Sequence, residues 1–428
     1  MSRYVEQPAG VGFSTGREPQ NEKEVGWDFY HFLVNFYKVF EDLQPHRLTI
    51  FGESYAGMFV PAIAHRIFKE NQNSPELHIN LDGIALGNGW MNGRVQGPMA
   101  IDYAWYHGMI DAYTRDAFHA QWEHCTTSDG VNMTGEIQSA PFHPFTTPDE
   151  CGVMDAVLQA AGAGNLPHGL SPNKYDVTTF DPLNIVSSHD STVAQFMNNP
   201  DVKKALNAPE GITWSGCMPD AGRRRRLAAM LNDDKPVSVV PYVAELLDNS
   251  DVRVLVYNGD LDMACNAQGS ETLLNDMKWS GHEAWKVAGR GIWILQQDET
   301  IAGYVKSFSN LMFLVVKNSG HLVPYNQPAQ GLELVERFLE KRPFIDIPLP
   351  SFVISIPTAP PGEEHDEDDD FDFDLNSNSD QFNAYNKASS FTTSKWVIQQ
   401  LIFAVVCFLA GAILSRSWRT RTGYESVS

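Results

Sequence analysis

Residues 48–59, "LTIFGESYAGMF", place a serine between a strand-like run and a helix-like run. A serine hydroxyl is a poor nucleophile unless a neighbouring base removes its proton. A sharp strand–turn–helix elbow exposes such a hydroxyl at the top of a sheet, and it aims backbone N–H groups at a developing oxyanion. The stretch therefore indicates a nucleophile elbow at Ser54, which constrains the fold to strands followed directly by helices.

The residues around Ser54 are small, as a tight elbow requires. Gly52 lies two positions before the serine, and Ala56 and Gly57 follow it. Ala56 occupies the last place of the G-x-S-x-G pattern, so the sequence departs from the strict motif. A serine in a turn before a helix is often only a helix cap. The motif alone leaves both interpretations open.

Apolar runs elsewhere in the chain predict an α/β fold. They are continuous rather than alternating, which is typical of parallel strands buried on both faces. Strands are predicted over residues 47–51, 80–89, 251–260 and 310–321, with a short strand and turn over 6–14. Helices are predicted over residues 25–43, 58–70 and 328–341. Between about residues 93 and 250 this alternation fades, and we interpret that stretch as a cap inserted over the strand ends.

Two later predicted strands end in residues that suit an acid and a base. One ends in "YNGDLDMACN" and the other in "KNSGHLVPYNQP". The α/β-hydrolases carry serine, acid and histidine in this order along the chain. His321 is the predicted base, which takes the Ser54 proton and later delivers it to the leaving group. Asp260 and Asp262 both compete to orient His321, and spacing alone does not separate them.

The blocks "GESYAG", "NGDLDMACN" and "SGHLVP" together resemble the serine carboxypeptidase family, which has the α/β-hydrolase fold. The resemblance covers most of residues 4–342, and "VLVYNGDLDMACN" is similar to cathepsin A-like members. It implies that Ser54 is the nucleophile, Asp262 the orienting acid and His321 the base. Asp260 then becomes a structural turn residue. The implied activity is release of C-terminal residues from peptides and proteins, with no cofactor and no metal.

The same resemblance implies roles for residues that bind the substrate. The Tyr55 N–H matches an oxyanion donor, and Cys265 matches a free thiol that lines the pocket. Trp90 and Leu322 fall where the family builds its side-chain pocket. Glu53 matches a glutamic acid that binds the peptide's terminal carboxylate. Two charged carboxylates cannot share a hydrogen bond, so Glu53 must be protonated, which predicts higher peptidase activity at acidic pH.

Without the resemblance, Glu53 would be interpreted as a favourable charge near a helix N-terminus. Side-chain specificity at the cleaved bond stays open. The apolar pocket residues favour hydrophobic substrates, whereas a predicted membrane anchor and acidic linker resemble prohormone-processing members that prefer basic C-termini. Two other functions also stay open on this fold: another acyl transfer or esterase reaction, and a catalytically inactive homologue that binds or protects a partner.

Charge and hydropathy define the C-terminal part of the chain. The net charge is −22, which excludes nucleic acid as a partner because phosphate binding needs clustered positive charge. Residues 346–395 are predicted to be a disordered acidic linker, with nine acidic residues within 363–374. Residues 396–414 carry no charge and are long enough to cross a bilayer. A membrane helix is therefore predicted over 396–415, and the arginines in 416–428 place that tail in the cytoplasm.

This topology places the catalytic domain, residues 1–345, in the lumen of the secretory or vacuolar system as part of a type I membrane protein. Cys125 and Cys151 could pair there, and Asn132 lies in a glycosylation sequon. The run "RRRR" at residues 223–226 predicts either a solvated loop or a processing site. A homodimer is left open.

No signal peptide is visible at the start of the chain. The resemblance also implies an upstream block of the Gly-Gly-Pro-Gly-Cys-Ser-Ser kind, which supplies a second oxyanion donor and a disulfide partner for Cys217. We therefore expect the chain to be incomplete at its N-terminus.

Overall fold

The structure is a computed structural model. It describes residues 3–73, 77–127, 153–166, 169–181, 192–215 and 238–349, and every structural statement below concerns those residues.

A mixed seven-stranded sheet forms the centre of the described part of the chain, in the order β1-β2-β5-β8-β7-β6-β9. The strands are β1 (Leu48–Glu53), β2 (Leu81–Gly87), β3 (Ser171–Pro172), β4 (Phe180–Asp181), β5 (Arg253–Gly259), β6 (Arg290–Ile294), β7 (Ile301–Phe308), β8 (Leu311–Val316) and β9 (Ile347–Pro348). β1, β2, β5 and β8 are parallel, whereas β7, β6 and β9 continue the sheet antiparallel. β3 and β4 form a separate antiparallel ribbon.

Helices connect and cover these strands. They include α1 (Glu22–Val39), α2 (Ala56–Gln72), α3 (Gly93–Gln96), α4 (Met99–Tyr106), α5 (Ala112–Thr127), α6 (Val153–Ala160), α7 (Pro200–Ala205), α8 (Val240–Asn249), α9 (Ala267–Asp276), α10 (His282–Val287), α11 (Val323–Asn326) and α12 (Pro328–Glu340). Local sequence sets several of their ends. The Asn21 side chain accepts a hydrogen bond from the Glu24 N–H at the start of α1, and Lys341 adopts the left-handed conformation that ends α12.

Both faces of the central strands are buried. Along β5, Val254 and Val256 join the apolar cluster that contains α2, α8 and α9, whereas Leu255 joins the cluster beneath α12. Successive residues of a strand point to opposite faces, so a strand covered on both sides needs apolar residues at every position. This confirms the interpretation of the continuous apolar runs as buried parallel strands.

The sequence-based boundaries differ from the structure in identifiable places. The short strand predicted over residues 6–14 is wrong, because this stretch forms turns in which Gly10 and Gly12 have φ values of +95° and +56°. The helix predicted over 25–43 is α1 followed by a short 3₁₀ turn at Glu41–Leu43. The antiparallel strands β6, β7 and β9 were not predicted, and β9 lies beyond the predicted domain boundary at residue 345.

Several predictions lie outside the described residues. These are the acidic run, the membrane helix over 396–415, the sequon at Asn132, the basic run at 223–226, and the pairings of Cys125, Cys151 and Cys217. Within the described ranges, no helix is long and apolar enough to cross a membrane.

Candidate active site

Ser54 lies in the turn between β1 and α2 with a φ of +61°, in the left-handed region that non-glycine residues seldom occupy. Its N–H donates to the Gly87 carbonyl, and its carbonyl accepts from the N–H groups of Gly57 and Trp90, each at 2.9 Å. A Cβ on Gly52 would lie 2.6 Å from the Ala56 Cβ, and one on Gly57 would lie 2.6 Å from the Trp90 nitrogen. The small residues thus permit an elbow packed directly against the end of β2.

His321 and Asp262 follow two neighbouring strands, β8 and β5. His321 Nδ1 lies 2.7 Å from Asp262 Oδ2, and the residues are 7% and 0% exposed. A carboxylate can only accept a hydrogen bond, so Nδ1 carries the proton and Nε2 is left as the basic nitrogen. Burial lowers the pKa of His321, but the charge and hydrogen bond of Asp262, with the charge of Glu53, outweigh it and leave the pKa raised.

Asp260 lies in a different environment from Asp262. Its carboxylate pairs with Lys317, and it accepts a hydrogen bond from the Ser319 N–H at 3.3 Å. Its carbonyl accepts from the Tyr103 hydroxyl at 3.0 Å. These contacts fix the turns after β5 and β8, as expected for a structural turn residue, and the contact to His321 belongs to Asp262.

Asn88, which was not among the predicted site residues, also binds Asp262. Its Nδ2 donates to Asp262 Oδ2 at 2.7 Å, and its Oδ1 accepts from the Gly259 N–H at 3.0 Å. Asn88 is fully buried with a φ of +42°. Asparagine tolerates this conformation better than most residues. An asparagine between two glycines at the end of β2 was the available sequence signal.

The elbow and the base face the same region. The charge of His321 lowers the pKa of Glu53, and the charge of Glu53 raises the pKa of His321, as expected for neighbouring groups. Among the hydrogen bonds of the described residues, none joins Ser54 Oγ to His321. Such contacts are often long before substrate binds and tighten in the substrate complex.

Glu53 is largely buried beside Ser54. The Tyr257 hydroxyl donates to Glu53 Oε1 at 3.3 Å. Burial raises the pKa of Glu53 to about 7, although His321 and the Tyr257 hydrogen bond act in the opposite direction. Glu53 is therefore mostly protonated at acidic pH and can donate a hydrogen bond to a carboxylate.

Tyr55 follows the serine and packs edge-on against Phe59, with ring centroids 5.0 Å apart. Its hydroxyl donates to Glu22 Oε1 at 3.0 Å, and Glu22 is 3% exposed. Within the described part of the chain, the Tyr55 backbone N–H donates no hydrogen bond. It stays available at the start of α2, where an oxyanion donor is expected.

Of the predicted pocket residues, Cys265 lies next to the acid–base pair of Asp262 and His321. Cys265 is buried with a free thiol, and burial raises its pKa well above the usual value. Its sulfur, one carboxylate oxygen of Asp262 and one ring nitrogen of His321 all lie within 4.8 Å of one another. Trp90 packs in the same apolar cluster as Cys265, and the half-buried Leu322 is the N-cap residue of α11.

A separate cavity of about 590 Å³ lies between residues 5–17 and the first turns of α1. Trp27 and Phe32 are among its lining residues, and none of the predicted site residues lines it.

A strand–helix elbow that carries a left-handed serine, together with a buried histidine–aspartate pair at the ends of β8 and β5, is typical of the α/β-hydrolases. The sequence profile described as serine carboxypeptidase matches residues 3–341. The chain therefore belongs to the serine carboxypeptidase family. A prohormone-processing carboxypeptidase from Saccharomyces cerevisiae has a similar structure, with a TM-score of 0.68 at 23% identity, covering 79% of this chain and 73% of that one. This likeness confirms the α/β-hydrolase fold.

Curated relatives extend the same comparison. Pheromone-processing carboxypeptidase KEX1 from Phytophthora infestans is 30% identical and covers 80% of this chain and 57% of its own length. Probable serine carboxypeptidase CPVL from Dictyostelium discoideum is 26% identical, covering 80% and 64%. Venom serine carboxypeptidase from Apis mellifera is 30% identical, covering 80% and 68%. The chain thus spans a little over half to about two thirds of the length of these relatives.

Proposed function

We propose that this chain carries the catalytic centre of a serine carboxypeptidase, which releases C-terminal residues from peptides and proteins through an acyl-enzyme. The observation that supports it most directly is the buried hydrogen bond of 2.7 Å between His321 and Asp262, beside a left-handed serine on a strand–helix elbow. Membership of the family supports the same reaction.

Ser54 Oγ attacks the carbonyl carbon of the last peptide bond while His321 Nε2 takes its proton. Asp262 orients the imidazole and stabilises the imidazolium that forms. The Tyr55 N–H donates to the oxyanion. The tetrahedral intermediate collapses, His321 protonates the leaving amine, and the terminal residue departs. Water, activated by His321, then hydrolyses the acyl ester and regenerates Ser54.

Protonated Glu53 explains why the enzyme would act at chain ends. A neutral carboxyl group beside the nucleophile can donate to the free carboxylate of the last residue, whereas an internal peptide bond offers no such partner. Binding at this point places the last peptide bond next to Ser54. Trp90, Leu322 and Cys265 are proposed to line the adjoining side-chain pocket.

Ser54→Ala tests this proposal. In the full-length protein we expect it to abolish release of C-terminal residues and labelling by a fluorophosphonate probe. Ser309→Ala is the matched comparison, because Ser309 is also a left-handed serine, with a φ of +54°, but lies in the exposed turn between β7 and β8. It should keep labelling and activity. Undiminished activity in Ser54→Ala would overturn the assignment of the nucleophile.

Ester hydrolysis or acyl transfer is the second candidate, since the same elbow and acid–base pair would serve it. Peptides with a free or an amidated C-terminus, compared with small esters, separate the two functions. A carboxypeptidase cleaves the free peptide at least about tenfold faster than the amidated one, because only the first can bind Glu53.

We further propose a membrane-anchored protein with a lumenal catalytic domain, supported by the uncharged residues 396–414 and the arginines that follow them. Protease protection in sealed microsomes tests this topology. The homodimer stays a prediction.

A further inference from the structure

The loop that joins β3 and β4, residues 173–179, touches the turn that carries the acid. This hairpin loop accepts two hydrogen bonds at the Lys174 carbonyl, from the N–H groups of Met263 and Ala264, both at 3.0 Å. On the other side of Asp262, the Val177 N–H donates to the Leu261 carbonyl at 3.1 Å. The hairpin loop thus holds the backbone on both sides of Asp262.

The same hairpin loop also holds the residue that acts as the base. The His321 N–H donates to the Tyr175 carbonyl at 2.8 Å, and the two rings lie 4.7 Å apart. A Cβ on Gly320 would lie 2.5 Å from the Tyr175 oxygen. Glycine at position 320 therefore allows the hairpin loop to approach the base this closely.

Two buried side chains fix the shape of the hairpin loop itself. Asn173 Oδ1 accepts from the Tyr175 N–H, and its Nδ2 donates to Thr179 Oγ1, both at 3.0 Å. Asp176 Oδ1 accepts from the Thr178 N–H at 3.1 Å and from Thr178 Oγ1 at 2.5 Å. Asn173 and Asp176 are 3% and 8% exposed. The conformation is therefore set within the hairpin loop rather than by the turns that it contacts.

We propose that the hairpin loop is a positioning element that fixes the acid relative to the base, with Asn173 and Asp176 as the positioning residues. The hairpin loop belongs to the predicted insertion over about residues 93–250, and its backbone bonds to both turns. The proposal rests on the proposed function, because it assigns the hairpin loop to the Asp262–His321 pair. A hydrogen bond between two side chains on separate turns needs both turns to be held, and the hairpin loop holds both.

Asp176→Ala tests the proposal, and the chain offers a matched control. Asp298 Oδ1 accepts from the Thr300 N–H at 3.1 Å and from Thr300 Oγ1 at 2.6 Å, which reproduces the Asp176 motif in an exposed turn between β6 and β7. We expect Asp176→Ala to lower kcat about 10- to 100-fold, the loss typical of a displaced catalytic group, with KM changed less than about twofold. Asp298→Ala should change neither, and Asp176→Asn should restore most of kcat.

Thr178→Val is a milder second variant, in case Asp176→Ala does not fold. It keeps the hydrogen bond from the Thr178 N–H to Asp176 and loses only the one from the hydroxyl. It should lower kcat about three- to tenfold, the loss expected for one hydrogen bond. Rates are measured per site labelled by fluorophosphonate, which removes the effect of unfolded protein. The acidic limb of the kcat profile should move to lower pH in Asp176→Ala, because a looser Asp262 contact raises the pKa of His321 less.

A spectroscopic signal separates failure of this proposal from failure of the proposed function. The His321 Nδ1 proton in its hydrogen bond should give a downfield proton NMR resonance in the wild type, whatever reaction the site performs. We expect that resonance to be lost or broadened in Asp176→Ala and kept in Asp298→Ala. If Asp176→Ala keeps both the resonance and kcat, the positioning role is wrong. If the wild type releases no C-terminal residue but Asp176→Ala loses the resonance that the wild type and Asp298→Ala show, the proposed function fails while the positioning role stands.

Discussion

At the scale of single residues, the chemistry depends on how Glu53 and His321 share protons. The proposed reaction needs a protonated Glu53 to bind the terminal carboxylate and a neutral His321 to accept a proton. A charged Glu53 raises the pKa of His321, and a protonated His321 lowers that of Glu53. Protonating Glu53 therefore removes one of the causes that keep His321 protonated. The two groups titrate as a coupled pair, and the neutral pair is the active form.

This coupling predicts a pH dependence in KM. Glu53 has its pKa raised to about 7, so it binds a carboxylate well below that pH and loses this ability above it. For peptides with a free C-terminus, KM should be flat below about pH 6 and should rise up to about tenfold per pH unit above 7. Glu53→Gln should abolish the rise, because an amide donates a hydrogen bond at every pH.

The measurement is KM between pH 5 and 9 for a peptide, with a small ester as the control substrate. The ester lacks a terminal carboxylate, so its KM should not follow Glu53. A wild-type peptide KM that is the same at pH 5.5 and pH 8.5 would contradict the role given to Glu53.

At the scale of elements, the elbow depends on close contact between α2 and the end of β2. Gly57 in the first turn of α2 leaves no room for a side chain, since a Cβ would meet the backbone of Trp90 and Gly89 at 2.6 to 2.8 Å. Backbone cannot move aside as a flexible side chain can. The position of Ser54 is therefore set by how closely these two elements pack.

Gly57→Ala should push α2 away from β2 and cost about 1–3 kcal/mol in the free energy of unfolding. We expect at least a tenfold slower reaction of Ser54 with a fluorophosphonate probe, because the oxyanion donor moves with α2. Gly211→Ala is the control, since a Cβ there meets nothing within 4 Å. Equal labelling rates in the two variants would show that the contact does not set the elbow.

Strands whose residues are all apolar could be predicted from the sequence. Elements whose position depends on contacts with distant parts of the chain could not. The continuous apolar runs of β5 and β8 reflect burial on both faces, so pattern alone identified them. β7 carries Lys306, which is buried against Trp285 with its ammonium 4.8 Å from the ring, and a charge in a strand hid the apolar pattern. The hairpin loop is polar, and only its contacts with two distant turns give it a role.

The candidate site likewise contains residues that the sequence indicated and one that it did not. Asp262 and His321 are in contact, and Ser54, like them, follows one of the parallel strands of the same sheet, so the order of strand and residue in the sequence was informative. Asn88 was missed because its neighbours along the chain do not show that its amide reaches Asp262 across two strand ends. The roles of these residues in catalysis stay predictions until the variants are measured.

At the scale of the whole molecule, an ionic cluster around the buried Arg337 ties α12 to the antiparallel edge of the sheet. Arg337 in α12 is 2% exposed and bonds Glu333 at 2.7 Å and Asp346 at 3.0 Å. It also donates to the Ile294 carbonyl at the end of β6, at 3.1 Å. Glu333 accepts in turn from the Trp293 indole at 3.1 Å. One side chain thus joins α12, β6 and the segment that leads to β9.

Arg337→Met should lower the free energy of unfolding by about 3–5 kcal/mol, because removing the arginine leaves the buried Glu333 carboxylate uncompensated. Arg17→Met is the control, since Arg17 is 74% exposed and pairs with Glu24 at the surface. Such surface pairs contribute at most about 1 kcal/mol. Urea unfolding followed by tryptophan fluorescence measures both. Equal losses in the two variants would mean that the cluster does not hold the edge of the sheet.

The left-handed serine has an evolutionary consequence. A non-glycine residue in this conformation costs about 1–2 kcal/mol, and glycine would avoid the steric part of that cost. A chain with glycine at position 54 would then tolerate more destabilising mutations elsewhere before it unfolds, but it would have lost its nucleophile. Selection for stability of the fold and selection for catalytic activity therefore favour different residues at position 54. A homologue that had lost its catalytic role would be free to drift toward glycine there.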